Sequence, residues 1–281
     1  MKQVSELYDR HRGEDIFVIG TGPSLRVFPV SLLKDRVTIG LNNAYEKVPV
    51  RYSITIHPEL YIPEFIGRTA PEAVMDWIVP GQKTRNLVSP EKFRHAEEKF
   101  YFFESAARRN LQPPHEPSDA GRVIEWLKRP TGNFLYVWSS ISQTAVNLAA
   151  NMGAANVFLV GCDSHSLLEN THAFSKPTRW KGVSPAVRYR QYAEGLAEAR
   201  SALRERGINL VSLTPFMGLG ETEKDFERLC RELNQPLVLP SSGDRSPETR
   251  LSEWWLWLRS WGLTLLFHRG KIRNLSKNNK L

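Results

Sequence analysis

The polar stretch after the apolar run NVFLVG carries the side chains best suited to acid–base chemistry. Asp163 follows that run almost at once, and His165 and His172 come shortly after it. An imidazole exchanges protons near neutral pH, so either histidine is a candidate general base, with Asp163 as its acidic neighbour. Two histidines and a carboxylate also suit a metal ion, and a polar loop held by ordinary hydrogen bonds is the other alternative. We predict catalytic roles for these three residues and no metal site.

A glycine-rich turn, GTGPS, follows an earlier apolar run, IFVI. Gly20 and Gly22 flank Thr21 and lack a Cβ atom, so a ligand can approach the backbone there. Pro23 suits the first turn of a helix, and Ser24 offers a hydroxyl beside free backbone amides. The turn lacks the third glycine of a dinucleotide fingerprint and the Lys-Ser/Thr of a P-loop. It therefore indicates either another kind of nucleotide site or a strand-to-helix turn that binds nothing.

Four further short motifs carry polar side chains that suit a nucleotide. The adjacent asparagines of GLNNAY can read a base or a ribose, or form an Asx turn. One serine pair precedes a helical pattern and can cap it, and the serines of LPSSGD can hold a phosphate or cap a turn. The RYRQY motif at 188–192 suits a phosphate clamp or a solvated helix face. The paired residues are Asn42 and Asn43, Ser139 and Ser140, and Ser241 and Ser242.

Short apolar runs alternate with helical patterns along most of the chain. Strands are predicted at residues 16–20, 37–41, 52–58, 84–90, 99–105, 156–163 and 208–215. Helices are predicted over 139–153 and 184–207, each ending at a glycine. The Pro-, Arg- and Gly-rich residues 106–133 indicate a loop or an insertion. The alternation predicts an α/β fold with a largely parallel sheet and flanking helices, and ligands bind such sheets at the carboxyl ends of the strands, just after residues 20, 41, 57, 161 and 213.

The end of the chain differs in composition from the rest. From residue 244 onward eight Lys or Arg accompany three Asp or Glu, which gives +5 of the total net charge of +8. Four of the eight tryptophans lie there, at helical spacing with leucines and ahead of the basic residues. This pattern is typical of an amphipathic helix at a membrane surface, although a helix packed on the body or on a second copy fits it too. We predict two units, a body at 1–245 and a membrane-associating tail at 246–281.

The cysteine count, the apolar stretches and the distribution of charge indicate the cellular compartment and the kinds of partner. The two cysteines disfavour a cysteine-based zinc site and favour a reducing compartment. The start of the chain has no apolar signal-peptide core, and no apolar stretch is long enough to span a bilayer. We expect a cytoplasmic protein that associates peripherally with the inner face of the membrane. Nucleic acid is not an expected partner, because most excess charge lies in one tail beside tryptophans.

The motifs VIGTGPSL, LNNAY, the serine pair, ANVFLVGCDSH, HAF and LPSS follow one another in an order that resembles two related groups. One is the bacterial sialyltransferases of glycosyltransferase family 42. The other is the MptE-like family of pterin diphosphokinases and motility-associated flagellin glycosyltransferases. The resemblance covers most of residues 15–245 and implies a Rossmann-like nucleotide fold.

The resemblance to the sialyltransferases also implies site residues. Their glycine-rich turn and the asparagine after their second strand contact CMP, which nominates Gly20, Thr21, Gly22, Pro23, Ser24 and Asn42. Asn43, Ser139, Ser140, Gly161, Ser241 and Ser242 complete the candidate nucleotide contacts. The chain departs from that family in four places. Thr21 replaces a usual asparagine, Val137 stands where an arginine is usual, His165 and His172 match tyrosines, and the family's own base histidine has no clear counterpart.

The function that this resemblance implies is the inverting transfer of a CMP-activated acid sugar to a glycan or glycolipid, with no essential cofactor. His172 or His165 would take the acceptor hydroxyl's proton. Two alternatives stay open at this point. One is a pterin diphosphokinase that uses ATP and Mg²⁺, with Asp163 at the metal, and the other is a nucleotide-binding relative without catalysis. A homo-oligomer is compatible with each of these three functions.

Overall fold

A computed structural model describes residues 2–22, 25, 28–63, 76–81, 84, 86, 91, 97–106, 127–128, 130, 132–137, 140–163 and 185–213. Nine strands pair within these residues. They are β1 (Lys2–Gln3), β2 (Asp15–Ile19), β3 (Val37–Leu41), β4 (Tyr52–Ile54), β5 (Asp76–Pro80), β6 (Phe100–Ala106), β7 (Phe134–Tyr136), β8 (Asn156–Val160) and β9 (Asn209–Ser212).

The strands form one sheet in the order β1-β6-β5-β4-β3-β2-β8-β9, with β7 paired to β6. Every pairing is parallel. The predicted α/β fold with a parallel, Rossmann-like sheet is therefore confirmed. The central strands are buried along almost their whole length because both faces of the sheet are covered, as the fully buried Ile16, Phe17, Val18 and Ile19 of β2 illustrate.

Three α-helices whose bounds lie within the described residues connect the strands: α1 (Pro58–Tyr61), α2 (Ile141–Asn151) and α3 (Pro185–Arg204). Helix α2 packs against β2, β3, β7 and β8, and also against α3. The chain leaves α2 through Gly153 and α3 through Gly207, both with positive φ, which agrees with the glycine ends predicted for these helices. No helix in the described ranges has both the length and the apolar character of a membrane span.

A buried histidine lies at the amino edge of the sheet, away from the predicted ligand edge. The side chain of His11 is 2% exposed. Its Nε2 lies 2.9 Å from the Tyr52 hydroxyl, and its Nδ1 lies 3.0 Å from Glu14 Oε1. Both ring nitrogens thus have partners within the protein, so this histidine serves the packing of the N-terminal residues on β4.

Several predicted elements need correction. The predicted strand at 84–90 is wrong at its start, because Thr84 is helical and its hydroxyl donates to the Pro80 carbonyl at 2.7 Å, a bond typical of a helical turn. The strand in this part of the sheet is β5, which was not predicted. The strand predicted over 52–58 ends at Ile54, and Pro58 begins α1. The short strands β1 and β7 were not predicted either.

Candidate nucleotide site

The order of the strands reverses at β2. From β2 the chain moves outward through β3, β4, β5 and β6, and it returns to place β8 and β9 on the other side of β2. Ligands of open α/β sheets bind in the crevice outside the carboxyl ends at such a reversal. In this chain the crevice lies between the segments that follow β2 and β8. Both segments contain site residues predicted from the sequence.

The two segments are in direct backbone contact. The Gly20 N–H donates to the Val160 carbonyl at 2.7 Å, and the Gly22 N–H donates to the Gly161 carbonyl at 2.7 Å. A Cβ on Gly20 would collide with the Gly161 backbone, and a Cβ on Gly22 would collide with the Asp163 carboxylate. Gly161 has a φ of +61°. The three glycines are therefore required by the close packing of the two turns, which together form one surface of the crevice at the switch point.

Asn42 lies beside this surface, at the carboxyl end of β3. Its backbone is left-handed, with a φ of 53°, which asparagine tolerates better than most residues. Its N–H donates to the Ile54 carbonyl at 3.0 Å, and its Oδ1 accepts from the Thr55 hydroxyl at 2.9 Å. The carboxamide is thus fixed by its oxygen, which leaves its NH₂ group as the part that can serve a ligand.

The Asx turn considered for the second asparagine is not formed. Asn43 precedes a short 3-10 helix at Ala44–Glu46, but its side chain makes no capping hydrogen bond to that helix. Both asparagines lie at the carboxyl edge of β3, as expected from their place in the sequence. The half-buried Asn43 carboxamide remains a candidate ligand contact.

Asp163 follows β8 and completes this part of the crevice. Its carboxylate packs against the backbone of Gly22. The neighbouring Cys162 is buried, and burial together with the Asp163 charge raises the pKa of its thiol far above the ordinary range. A carboxylate at this place can accept hydrogen bonds from ribose or sugar hydroxyls, whereas a phosphate would be repelled unless its charge were compensated.

The serine predicted to precede α2 begins that helix as its N-cap. The Ser140 hydroxyl accepts from the Ser142 N–H at 3.2 Å and lies 2.6 Å from the Ser142 hydroxyl. In return, Gln143 Oε1 accepts from the Ser140 N–H at 3.3 Å. The capping role is confirmed. Because α2 leads back to the start of β8, its N-terminus lies at the carboxyl edge of the sheet, where its dipole favours an anion.

A histidine that the sequence analysis did not nominate lies at the same edge. His57 follows β4, and its Nδ1 is 3.3 Å from Glu59 Oε1. Its backbone N–H donates to the Thr55 hydroxyl oxygen at 3.0 Å, the same hydroxyl that bonds Asn42. The available signal was its place near the carboxyl end of the strand predicted over 52–58, in the motif ITIHPE.

Several predicted site residues lie outside the described residues: Pro23, Ser24, Ser139, His165, His172, Ser241 and Ser242. So do the predicted tail, most of the predicted loop at 106–133 and the side chains of the RYRQ residues in α3. Val137, which replaces the arginine usual in the sialyltransferases, is a buried core residue and supplies no charge. Among the residues the structure describes, no three His, Cys, Asp or Glu side chains come together as a metal site.

No protein-family model matches the chain, and no curated protein matches its sequence. Solved structures of sialyltransferases are similar to it. Against CstII from Campylobacter jejuni in complex with CMP-3FNeuAc, the match has 14% identity and a TM-score of 0.38, and covers 72% of this chain and 82% of that one. For CST-II with a trisaccharide acceptor and CMP, the values are 13%, 0.41, 74% and 87%. These matches concern architecture, and a fold by itself does not fix a function.

Proposed function

We propose that this chain is a glycosyltransferase of the sialyltransferase type, which transfers an acid sugar from its CMP-activated form to a glycan or glycolipid acceptor with inversion. The observation that carries the proposal is the pair of glycine turns in contact between β2 and β8. They lie at the switch point of a parallel sheet, and they belong to a motif series whose order resembles that of CMP-using enzymes.

The nucleotide would lie across the carboxyl edge of the sheet. Its phosphate would lie between the turn after β2 and the N-terminus of α2, whose dipole offsets the charge of Asp163, and the ribose would meet Asn42 and Asp163. We assign no charge-compensating cation to the phosphate from the described residues. Ser24, Ser139, Ser241 and Ser242 remain proposed hydroxyl contacts on the strength of the motifs alone.

The proposed reaction is a single displacement. The acceptor hydroxyl oxygen attacks the anomeric carbon, the bond from that carbon to the phosphate oxygen breaks, and CMP leaves with the electron pair. A general base takes the proton of the attacking hydroxyl, and we propose His172 or His165 for this role. No metal or other cofactor takes part in the proposed step.

The decisive experiment is donor hydrolysis by the full chain with a panel of CMP-sugars and UDP-sugars, followed by HPLC of the released nucleotide. We expect release of CMP from at least one CMP-linked acid sugar and none from UDP-sugars. Absence of both turnover and binding for every CMP-sugar would overturn the proposal. A thermal shift by ATP with Mg²⁺ and none by CMP would favour the diphosphokinase instead.

The assignment of the base has its own test. His172→Ala and His165→Ala should each leave CMP binding in place, and replacement of the true base should lower kcat on the order of 10²–10⁴-fold. Full activity in both variants would refute the assignment of the base without refuting the class of enzyme. A chain that binds CMP and turns over no donor would favour the non-catalytic relative.

A further inference from the structure

A group of basic side chains lies at the amino edge of the sheet, opposite the candidate nucleotide site. The Arg10 guanidinium donates to the Tyr101 hydroxyl at 3.0 Å and to the Glu6 carbonyl at 3.3 Å. The Lys2 Nζ lies 4.7 Å from the centroid of the Tyr101 ring, and the Arg10 Cζ lies 5.5 Å from the same point. Two cations therefore meet at one phenol, and two hydrogen bonds fix the orientation of the guanidinium.

Arg51, which precedes β4, adds a third cation beside the neighbouring ring. Its Cζ lies 5.6 Å from the centroid of the Tyr52 ring. Burial raises the pKa of the Tyr52 hydroxyl, and the positive charges of Arg51 and Arg10 oppose that rise. Both guanidinium groups thus act on the same phenol. We refer to Lys2, Arg10, Arg51 and Tyr101 as the amino-edge cluster.

Little negative charge balances the amino-edge cluster. Arg10 and Arg51 form no ion pair within the described part of the chain. Lys2 lies 3.8 Å from Asp76 Oδ1, so three cations face one paired carboxylate among these residues. The acidic side chains that lie near Arg10 in the sequence have partners outside the cluster: Glu6 accepts from the Gln3 N–H, Asp9 pairs with Arg12, and Glu14 faces His11.

The Tyr101 hydroxyl provides a second, independent sign that an acceptor belongs here. Tyr101 is 4% exposed, and its hydroxyl oxygen accepts from Arg10. No described residue accepts the proton of this hydroxyl. Because the hydroxyl of a buried tyrosine usually finds a hydrogen-bond partner, a group that accepts from the Tyr101 O–H and the Arg10 N–H groups together would complete the arrangement.

We propose that the amino-edge cluster binds a phosphate group. The planar guanidinium of Arg10 offers N–H groups in a geometry that matches phosphate oxygens, and the Tyr101 O–H and the Lys2 ammonium add further donors. Three cations against one carboxylate leave two positive charges, which match a phosphate dianion better than a single carboxylate. The inference does not depend on the proposed transfer reaction, because the cluster lies at the other edge of the sheet.

Calorimetric titration of the full chain with inorganic phosphate tests the site, at about pH 8, where phosphate is mainly a dianion. We expect saturable binding that weakens as NaCl is added, because Arg10 and Arg51 are exposed. Arg10→Gln should lower the affinity for phosphate roughly tenfold or more, since it removes charge-assisted hydrogen bonds. Tyr101→Phe keeps the ring and removes the O–H, so it should lower the affinity by a smaller factor.

Arg12→Gln is the matched control. Arg12 follows Arg10 closely in the chain, but its guanidinium pairs with Asp9 at 2.9 Å and its side chain is 76% exposed. This variant should bind phosphate as the unmodified chain does, and an equal loss in Arg12→Gln and Arg10→Gln would overturn the inference. So would an equal loss of CMP and phosphate affinity in Arg10→Gln, because the titration would then report the nucleotide site. Thermal unfolding of each variant would establish that it is folded.

A soluble phosphate ester and a phospholipid headgroup both carry the proposed group, and a flotation assay distinguishes them. The assay uses phosphatidylcholine vesicles that contain phosphatidic acid, with the unmodified chain and Arg10→Gln. Weaker flotation of Arg10→Gln would assign the site to a lipid headgroup, whereas a loss of phosphate affinity with equal flotation would assign it to a soluble ester. If Arg10→Gln matches the unmodified chain in both assays, the inference is overturned.

Discussion

Single residues at the ends of β2 and β8 determine how closely the two turns pack against each other. Gly20 and Gly22 face the backbone and carboxylate of the segment after β8 so closely that no Cβ fits. Asn42, one strand away, has a left-handed backbone and a carboxamide oxygen already bonded to Thr55. For single residues, the candidate site consists of two glycine turns that pack directly on each other and of an asparagine carboxamide whose oxygen is fixed by one hydrogen bond.

Substitution of Gly20 tests how tightly the two turns are packed. The Cβ of Gly20→Ala would lie 2.7 Å from the Gly161 carbonyl carbon, and a backbone neighbour cannot move aside without disturbing β8. We expect a loss of about 1–3 kcal/mol in the free energy of unfolding, measured with urea, and a loss of CMP binding.

The matched control for that variant is Gly132→Ala. Gly132 has a positive φ but nothing within 4 Å of an added Cβ, so its cost is conformational alone, about 1–2 kcal/mol, and CMP binding should be unchanged. Normal CMP binding by Gly20→Ala would contradict the placement of the phosphate at this turn.

Cys162 should be chemically inert in the folded protein. Its thiol is buried 3.6 Å from the Val18 carbonyl, and burial with the adjacent Asp163 charge raises its pKa, so almost no reactive thiolate forms near pH 8. In a Cys230→Ser background, we expect no reaction of the native chain with Ellman's reagent and one equivalent after denaturation. Rapid labelling of the native chain would show that the crevice after β8 opens.

At the scale of elements, α2 is notable for burying polar residues along its length. Ser142, Gln143, Thr144, Asn147 and Asn151 are all at most 5% exposed. Two of them accept a hydrogen bond from another part of the chain. Asn147 Oδ1 accepts from the Tyr136 N–H at 2.9 Å, and Asn151 Oδ1 accepts from the Arg206 guanidinium at 3.1 Å. These bonds fix α2 against β7 and α3, and hence set the position of its N-terminus at the ligand edge.

Arg206 joins the ends of two helices and provides a test of this arrangement. Its guanidinium donates to the carbonyls of Ala150 and Leu127 and to Asn151 Oδ1, at 2.8–3.1 Å. Arg206→Ala leaves these acceptors without their donor, and we expect a loss of about 2–3 kcal/mol in the free energy of unfolding.

Arg204→Ala is the control, because this arginine ends α3 in an exposed position; its cost should be within about 0.5 kcal/mol. Urea unfolding measures both variants. Equal costs would mean that the bonds of Arg206 do not hold α2 and α3 together.

At the scale of the whole molecule, the sheet brings together segments that are far apart in the chain. Gly20 and Gly161 meet because β8 returns to the side of β2 opposite β3. The parallel pairing of β4 with β3 also brings His57 to the edge that carries Asn42. The candidate site is thus a product of strand order, with its polar groups on one edge and the His11 network on the other.

The basic, tryptophan-rich tail predicts membrane association of the whole protein. In a flotation assay the full chain should bind vesicles that contain anionic phospholipid and bind neutral vesicles weakly, since each basic residue near an anionic surface contributes about 1 kcal/mol. Removal of residues 246–281 should abolish flotation and leave CMP binding intact. Equal binding to neutral and anionic vesicles would contradict the electrostatic part of this prediction.

The class of the fold and most of the central strands were predictable from local sequence patterns alone. The apolar runs that became β2, β3 and β8 were predicted within three residues of their ends, because a buried parallel strand needs a continuous apolar run bounded by a turn. The glycine ends of α2 and α3 and the serine cap were equally readable, since caps depend on residues next to each other in the chain.

Which of these segments are neighbours depends on how the whole chain packs. The same local signals fit β5 at 76–80 or a strand at 84–90, and the choice followed from packing of the buried Trp77 and from the bond between Thr84 and Pro80. The contacts of Gly20 with Gly161 and of Asn42 with Thr55 depend on strand order, which long-range packing selects and local patterns do not encode.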